Sequence, residues 1–200
     1  MDIWSTPLDV PDGVRARLVD TLSEDERVRA DRFYFERDRR HFQVARGMVR
    51  HLLGHVAGLG PGAVSFHYGP RGKPSVDGLE FNLSHSGELA LLGVSFDQPL
   101  GVDIERCRPM PDAEAIARRF FSPRECEALL ALPAEAREEA FFRCWTRKEA
   151  YIKALGSGLM TSLQGFSVDV GEVARILEIA GDDPRRWTMH RWRPAPGYHA

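Results

Sequence analysis

Helix-like and strand-like patterns occur on both sides of Pro99, and this arrangement predicts a mixed α+β fold. Helical spacing of apolar residues covers 23–54 in the first half, and 112–132 and 134–155 in the second. The strand-like runs are 64–68, 79–87, 89–96, 101–106, 166–170 and 187–192. A chain of 200 residues is long enough for two small units, and we place their boundary between residues 99 and 100.

The two halves also share a faint internal repeat. In the first half, R-F-Y-F-E-R (32–37) precedes A-R-G-M-V-R-H-L-L-G (45–54). In the second half, R-F-F-S-P-R (119–124) precedes T-R-K-E-A-Y-I-K-A-L-G (146–156). Each time an aromatic-rich segment leads into a basic helix that ends in Leu-Gly. The repeat favours two similar α+β halves with a ligand cleft between them.

Composition and charge exclude several classes of protein. The net charge of −2 argues against a general nucleic-acid binder. No apolar run approaches the roughly 20 residues that cross a bilayer, and the acidic N-terminus does not resemble a secretory signal. The three cysteines include no C-x-x-C pair, which is typical of unpaired thiols in a reducing compartment such as the cytoplasm.

Two carboxylates in G-V-D-I-E-R (101–106) form the first candidate site. If this run is a strand, Asp103 and Glu105 point to the same face, because alternate side chains share a face. Their charges repel unless a cation lies between them. Either Arg106 or Arg108 could supply it as a salt bridge, or a divalent ion such as Mg²⁺ could bind the two carboxylates.

A third carboxylate lies on the apolar face of the helix predicted over 134–155. Glu149 shares that face with three apolar residues: Trp145, Ile152 and Leu155. Burial of such a charge costs several kcal/mol unless it is compensated. An ion pair with Lys153 contributes only about 0.3–0.5 kcal/mol and explains a surface position better than a core position. A site shared with Asp103 and Glu105 explains Glu149 better.

Cationic segments in the first half suggest a second kind of site. Arginines outnumber acidic residues over 27–50, which fits either a solvated helix face or a phosphate site. The loop G-P-R-G-K-P (69–74) carries Arg71 and Lys73 but lacks the spacing of a P-loop. S-H-S (84–86) has no nucleophile-elbow context, so His85 is either a structural residue or a contact for a phosphorylated ligand.

Taken in order, these motifs resemble the 4′-phosphopantetheinyl transferases of the Sfp type. The matching segments are A-R-G-M-V-R (45–50), R-G-K-P (71–74), F-N-L-S-H-S-G (81–87), G-V-D-I-E-R (101–106), R-F-F-S-P-R-E (119–125) and W-T-R-K-E-A-Y-I-K (145–153). The resemblance implies an α+β pseudodimer that binds coenzyme A between its halves. It also implies transfer of the phosphopantetheine arm to a serine of an apo acyl or peptidyl carrier protein, with release of adenosine 3′,5′-bisphosphate.

The resemblance also implies a role for each site residue. It assigns Asp103, Glu105 and Glu149 as ligands of Mg²⁺, or alternatively Mn²⁺, with Glu149 as general base and Asp103 and Lys153 as further catalytic residues. The contacts to coenzyme A are Arg46, Arg50, Arg71, Gly72, Lys73, Ser84, His85 and Lys153. The phosphate contacts then lie mainly in residues 1–99 and the carboxylates in residues 100–200. The resemblance further implies a cytoplasmic monomer that serves secondary metabolism.

Two other functions remain possible at this stage, and one departure from the family pattern is expected to matter. The same carboxylates would suit a metal-dependent phosphoesterase, which hydrolyses its substrate without a carrier protein. The arginines of 27–50 would suit a non-catalytic interaction protein that binds acidic partners, although this leaves Glu149 unexplained. The pattern of the relatives continues through another apolar strand after P-G-Y-H-A (196–200), and its loss would leave backbone groups unpaired.

Overall fold

The chain forms two compact units, one over Met1–Pro99 and one over Leu100–Ala200. The structure is a computed structural model and describes residues 1–69, 72–96, 98–156, 158 and 161–200. Each unit contains helices and strands, so the predicted α+β fold class is confirmed. We refer to the two as the N-terminal unit and the C-terminal unit.

The N-terminal unit places helices beside an antiparallel sheet. Its elements are β1 (Asp2–Pro7), α1 (Asp12–Asp20), α2 (Glu24–Asp31), α3 (Glu36–Ala57), β2 (His67–Tyr68), β3 (Pro74–Ser75), β4 (Glu80–Ser86) and β5 (Leu89–Ser95). Strand β5 lies between β1 and β4, and it pairs antiparallel with both. Leu53 of α3 packs with Phe81 and Leu92 of the sheet in one buried cluster.

The hairpin of β4 and β5 agrees with the strands predicted over 79–87 and 89–96. The turn between them is short, and Gly87 takes a left-handed conformation there with φ 56°, which suits a residue without Cβ. Because β4 alternates faces, Ser84 is buried whereas His85 is exposed. The hairpin therefore fixes two candidate ligand contacts on opposite faces of one strand.

The helix predicted over 23–54 is two helices, not one. The capping box of Ser23 and Glu26 starts α2, as its spacing indicates. The chain then leaves the helix after Asp31 and enters α3 through Phe35, whose backbone is extended. This break lets α2 fold back against α3, so that Glu26 reaches two arginines of the longer helix.

The C-terminal unit is built around one long helix. Its elements are β6 (Glu105–Arg106), α4 (Ala113–Phe120), α5 (Pro123–Leu130), α6 (Ala134–Leu155), β7 (Phe166–Val168), β8 (Ile176–Ile179) and β9 (Tyr198–His199). Helix α6 has the predicted bounds, and the region predicted as one helix over 112–132 is divided into α4 and α5 at Phe121 and Ser122. Aromatic residues dominate the core, with Phe121 stacked on Phe141.

The short strands of this unit differ from the predictions. The regular strand in 101–106 covers only Glu105 and Arg106, because the residues before it pack against α6 and not against another strand. Residues 187–192, all of them described, form no strand. Strands β8 and β9 were not predicted, and β9 pairs with β6 so that Glu105 lies opposite His199.

Within the described ranges, no helix is both long enough and apolar enough to cross a bilayer.

Candidate functional site

Helix α6 carries the side chains on which the predicted catalytic site depends. Ile152 is buried and Trp145 is partly buried, but Leu155 is 40% exposed at the end of the helix. Glu149 is half-buried, and the fully buried charge beside it is Lys148. The prediction that Leu155 continues the apolar face is wrong, because the buried side of α6 is rotated toward Lys148. Glu149 therefore lies at the margin of the core.

Gly101 brings the segment before β6 into direct contact with α6. A Cβ atom at this position would lie 2.0 Å from the carbonyl oxygen of Ala150 and 2.3 Å from the amide nitrogen of Ala154. Both atoms belong to the backbone of a helix, which cannot yield as the end of a side chain does. A glycine is therefore required for the approach, and the approach carries Asp103 to the turn that contains Glu149 and Lys153.

Asp103 and Lys153 form an ion pair at this contact. The distance between Lys153 Nζ and Asp103 Oδ1 is 2.5 Å. The side chain of Asp103 is 5% exposed and that of Lys153 is 27% exposed, so the pair joins a buried carboxylate to a partly solvated cation. Charge-assisted bonds of this kind are about twice as strong as neutral hydrogen bonds.

Electrostatics connects Glu149 to the same group of charges. Burial raises the pKa of Glu149 above its ordinary value, the charge of Asp103 raises it further, Lys153 opposes the change, and Glu105 adds to it. A carboxylate with a raised pKa accepts a proton more readily near neutral pH than an ordinary glutamate does. The arrangement can therefore take up a proton beside a lysine cation.

The three carboxylates fit a magnesium ion by their chemistry, since Mg²⁺ prefers hard oxygen ligands. Over the part of the chain that the structure describes, however, no three or more histidine, cysteine, aspartate and glutamate side chains form a group that could hold a metal ion. The ammonium group of Lys153 is one cation in contact with Asp103. The assignment of Asp103, Glu105 and Glu149 as metal ligands stays a prediction.

The predicted coenzyme contacts of the N-terminal unit lie around β3 and β4. Lys73 immediately precedes β3, and its ammonium nitrogen is 3.4 Å from Glu80 Oε2. Gly72 has φ 78°, a conformation that favours glycine. Ser84 and His85 are neighbours in β4. Arg71 lies outside the described residues.

The other two predicted coenzyme contacts, Arg46 and Arg50, converge on a buried glutamate. Arg50 Nε donates to Glu26 Oε2 at 2.6 Å, and Arg50 Nη1 donates to the carbonyl oxygens of Pro61 and Val64. Its side chain is only 4% exposed. Arg50 therefore holds the interior of the unit together, and its burial argues against the predicted phosphate contact.

Arg46 is bound to the same carboxylate and extends from it toward the surface. Its Nε donates to Glu26 Oε1, its Nη2 donates to the hydroxyl of Tyr68 at 2.8 Å, and its guanidinium lies 3.7 Å from the centre of the Phe66 ring. Burial opposes ionisation of Glu26, but hydrogen bonds from Arg50 and the Ser23 amide and the charge of Arg46 give it a lowered pKa overall. The two interpretations of the arginine-rich segment were a solvated helix face and a phosphate site. Neither predicted that Arg46 and Arg50 form a buried cluster with Glu26.

A second buried ion pair, between Lys148 and Glu125, also escaped the sequence analysis. Lys148 Nζ lies 2.7 Å from each carboxylate oxygen of Glu125 and donates to the carbonyl oxygen of Phe166 at 2.8 Å. Both side chains are 0% exposed. Burial lowers the pKa of Lys148, and the Glu125 charge opposes this change. The spacing S-P-R-E (122–125) fits a capping box and marks the start of α5, but it does not indicate that Glu125 meets Lys148.

Two family profiles match the chain, and together they cover most of it. The profile described as the 4′-phosphopantetheinyl transferase superfamily matches residues 99–200, half of the chain. The chain belongs to this superfamily. A profile described as 4′-phosphopantetheinyl transferase, N-terminal, matches residues 14–96. The resemblance inferred from the motifs is thereby confirmed.

Individual relatives of the superfamily align with most of this chain. The chain is 43% identical to the 4′-phosphopantetheinyl transferase HetI of Nostoc, over 90% of this chain and 83% of the relative. It is 31% identical to the 4′-phosphopantetheinyl transferase Sfp of Bacillus subtilis, over 91% and 81% of the two chains. It is also 26% identical to the human L-aminoadipate-semialdehyde dehydrogenase-phosphopantetheinyl transferase, over 86% and 63%. These names support a transferase.

Proposed function

We propose that this superfamily member transfers the phosphopantetheine arm of coenzyme A to a serine of an apo acyl or peptidyl carrier protein. The contact of Gly101 with α6 is the observation that carries the proposal, because it joins Asp103 to the turn of Glu149 and Lys153. The names of the relatives supply the reaction class. The proposed carriers belong to secondary metabolism.

The proposed step replaces a phosphoanhydride bond of coenzyme A with a phosphoester bond to the carrier. The serine oxygen of the carrier forms a bond to the phosphorus that bears the pantetheine arm. The bond from that phosphorus to the bridging oxygen of the diphosphate breaks, and adenosine 3′,5′-bisphosphate leaves with the bonding electrons. Glu149 takes the serine proton directly or through a water molecule, which its raised pKa favours.

The remaining residues of the C-terminal unit act on the leaving group. Lys153, which is partly solvated, stabilises or protonates the departing bisphosphate. Asp103 orients Lys153 through their ion pair. Asp103, Glu105 and Glu149 would hold Mg²⁺ or Mn²⁺, which supplies charge neutralisation at the diphosphate.

The proposed coenzyme contacts in the N-terminal unit are cationic or hydrogen-bonding side chains. Lys73, Ser84 and His85 bind phosphate oxygens, together with Arg71 and the backbone of Gly72. Arg46, which is partly exposed, contacts coenzyme A. Arg50 does not reach the ligand and stabilises the cluster with Glu26 from the interior of the unit. We propose that the protein acts as a cytoplasmic monomer.

A mass-shift assay tests the function directly. The protein is incubated with coenzyme A, Mg²⁺ and a panel of apo acyl and peptidyl carriers, and each carrier is expected to gain the mass of the arm only when its acceptor serine is present. Glu149→Gln should abolish most of the transfer, and Glu127→Gln, on the exposed face of α5, should not. Hydrolysis of coenzyme A without any modified carrier would favour the phosphoesterase instead.

A further inference from the structure

Glu125 and Lys148 are the most deeply buried charges of the C-terminal unit, and no step of the proposed reaction uses them. Both side chains are 0% exposed, so neither touches coenzyme A or a carrier protein. A buried ion pair is a weak source of stability, because desolvation offsets most of the attraction and apolar residues of similar size often serve as well. Stability alone therefore does not account for this pair.

The pair connects three separate elements, α5, α6 and β7, by directional bonds. Lys148 Nζ on α6 meets both oxygens of Glu125 on α5 and the carbonyl oxygen of Phe166 on β7. Glu125 in turn accepts hydrogen bonds from the amides of Ser122 and Val168, each at 2.7 Å. An apolar side chain at position 148 would allow the helix to rotate or slide by small amounts. These bonds fix the azimuth of the helix, which is its rotation about its own axis.

The residue that follows Lys148 in the helix is Glu149. Successive side chains on an α-helix are about 100° apart, so the azimuth that directs Lys148 into the core also sets the direction of Glu149. Gly101 fixes the same turn from another side, through its contacts with Ala150 and Ala154. The turn that carries the general base is therefore held at two points, one of which is the buried pair.

We propose that Glu125 and Lys148 form a positioning pair that aims Glu149 at the serine hydroxyl of the carrier. This inference rests on the proposed function, because it concerns the base of that reaction. A positioning role predicts a loss in kcat with little change in the KM for coenzyme A, since neither residue reaches the ligand. Misplacement of a catalytic group by about 1 Å can cost about 100-fold in rate.

The central experiment compares the double variant Glu125→Gln/Lys148→Met with the wild type. The glutamine can still accept one of the two backbone amide hydrogen bonds, and the variant buries no charge at either position. We expect kcat for carrier modification to fall by between about 10- and 100-fold, with KM for coenzyme A within about twofold. A folded double variant with wild-type kcat would overturn the proposal.

Two further variants separate positioning from general destabilisation. Ser167→Ala removes the 2.8 Å hydrogen bond to Ser122 Oγ and leaves the ion pair in place, so it should lower stability without lowering kcat. If the double variant does not fold, Glu125→Asp keeps the charge and shortens the side chain by one carbon. This variant should lose kcat at a temperature where it is fully folded, and unchanged kcat would contradict the positioning role.

A measurement that needs no catalytic activity keeps the inference distinct from the proposed function. In the double variant, backbone amides of residues 149–153 should exchange hydrogen faster than in the wild type, while those of residues 138–142 should keep their rates. Absence of carrier modification by the wild type would refute the proposed function only. Unchanged exchange at residues 149–153 would refute the positioning pair whatever the reaction proves to be.

Discussion

Gly101 lies so close to Ala150 of α6 that a Cβ atom at position 101 would be only 2.0 Å from the carbonyl oxygen of Ala150. This contact holds the Asp103 segment on the helix. Replacement of Gly101 by alanine must push the two backbones apart. We therefore expect Gly101→Ala to cost about 3 kcal/mol in the free energy of unfolding and to lower carrier modification about tenfold or more.

Urea unfolding and the mass-shift assay check this prediction together. Gly13→Ala is the matched control, because no atom lies within 4 Å of its Cβ position in α1. The control should keep full activity and change stability by at most about 1 kcal/mol. Equal behaviour of the two alanine variants would mean that the approach of Gly101 to α6 is not tight in solution.

Glu149→Gln should lower the transferase activity without lowering the stability of the fold near neutral pH. The pKa of Glu149 is raised in the folded protein, so the ionised form is disfavoured there relative to the unfolded chain. The stability that Glu149 contributes in its protonated form is present below its ordinary pKa of 4.5 and is lost as pH rises through its folded value. Above that pH, Glu149→Gln should therefore be at least as stable as the wild type while transferring little phosphopantetheine.

Thermal unfolding of both proteins between pH 4 and pH 8 measures this difference. The Tm of Glu149→Gln minus that of the wild type should grow with pH and then level off. Glu127→Gln, at an exposed position, should show no such trend. A Tm for Glu149→Gln that falls below that of the wild type at pH 8 would show that the carboxylate stabilises the fold.

Glu26→Gln should destabilise the N-terminal unit strongly. The substitution removes the charge that Arg46 and Arg50 share and leaves Arg50 buried without a counterion. Loss of one partner of a buried ion pair typically costs about 3–5 kcal/mol. Glu24→Gln, at an exposed position of the same helix, is the control, and urea unfolding of the two variants side by side provides the measurement. Similar midpoints would show that the arginines find other acceptors.

His199 should make the C-terminal unit sensitive to mild acid. Burial and the charge of Arg193 lower the pKa of His199 to about 4, although Glu139 opposes the change. Because the unfolded chain binds the proton near pH 6.5 and the folded chain near pH 4, stability should fall as pH drops between these values. His199→Gln should remove this part of the pH dependence, and the exposed His190→Gln should retain it. Tm measured against pH tests the comparison.

The sequence predicted the long elements well because their signals are local. Helix α6 and the hairpin of β4 and β5 follow from apolar periodicity and a glycine turn, with nearly correct bounds. The break between α2 and α3 was missed because it serves a contact between residues distant in sequence, that of Glu26 with Arg46 and Arg50. The length of the strand predicted over 101–106 was overestimated for a similar reason, since Gly101 packs on a helix.

The sequence suggested candidate site residues but not their arrangement. Residue types and motif order proposed Asp103, Glu149 and Lys153, and the structure brings Asp103 to the turn of α6 that carries the other two. The buried pair of Glu125 and Lys148 was not predicted, because charged residues in a helical pattern are usually solvated and nothing local shows that these two meet. Partners separated in sequence can be assigned only after the chain has folded.

Pairing of Glu105 with His199 has a consequence for biosynthesis. Strand β6 is made early in the C-terminal unit, but its partner strand leaves the ribosome only after β7 and β8. The segment that carries Asp103 and Glu105 can form this pairing only after β9 has been synthesised. Strand β6 of the nascent unit therefore passes through a stage in which it is unpaired.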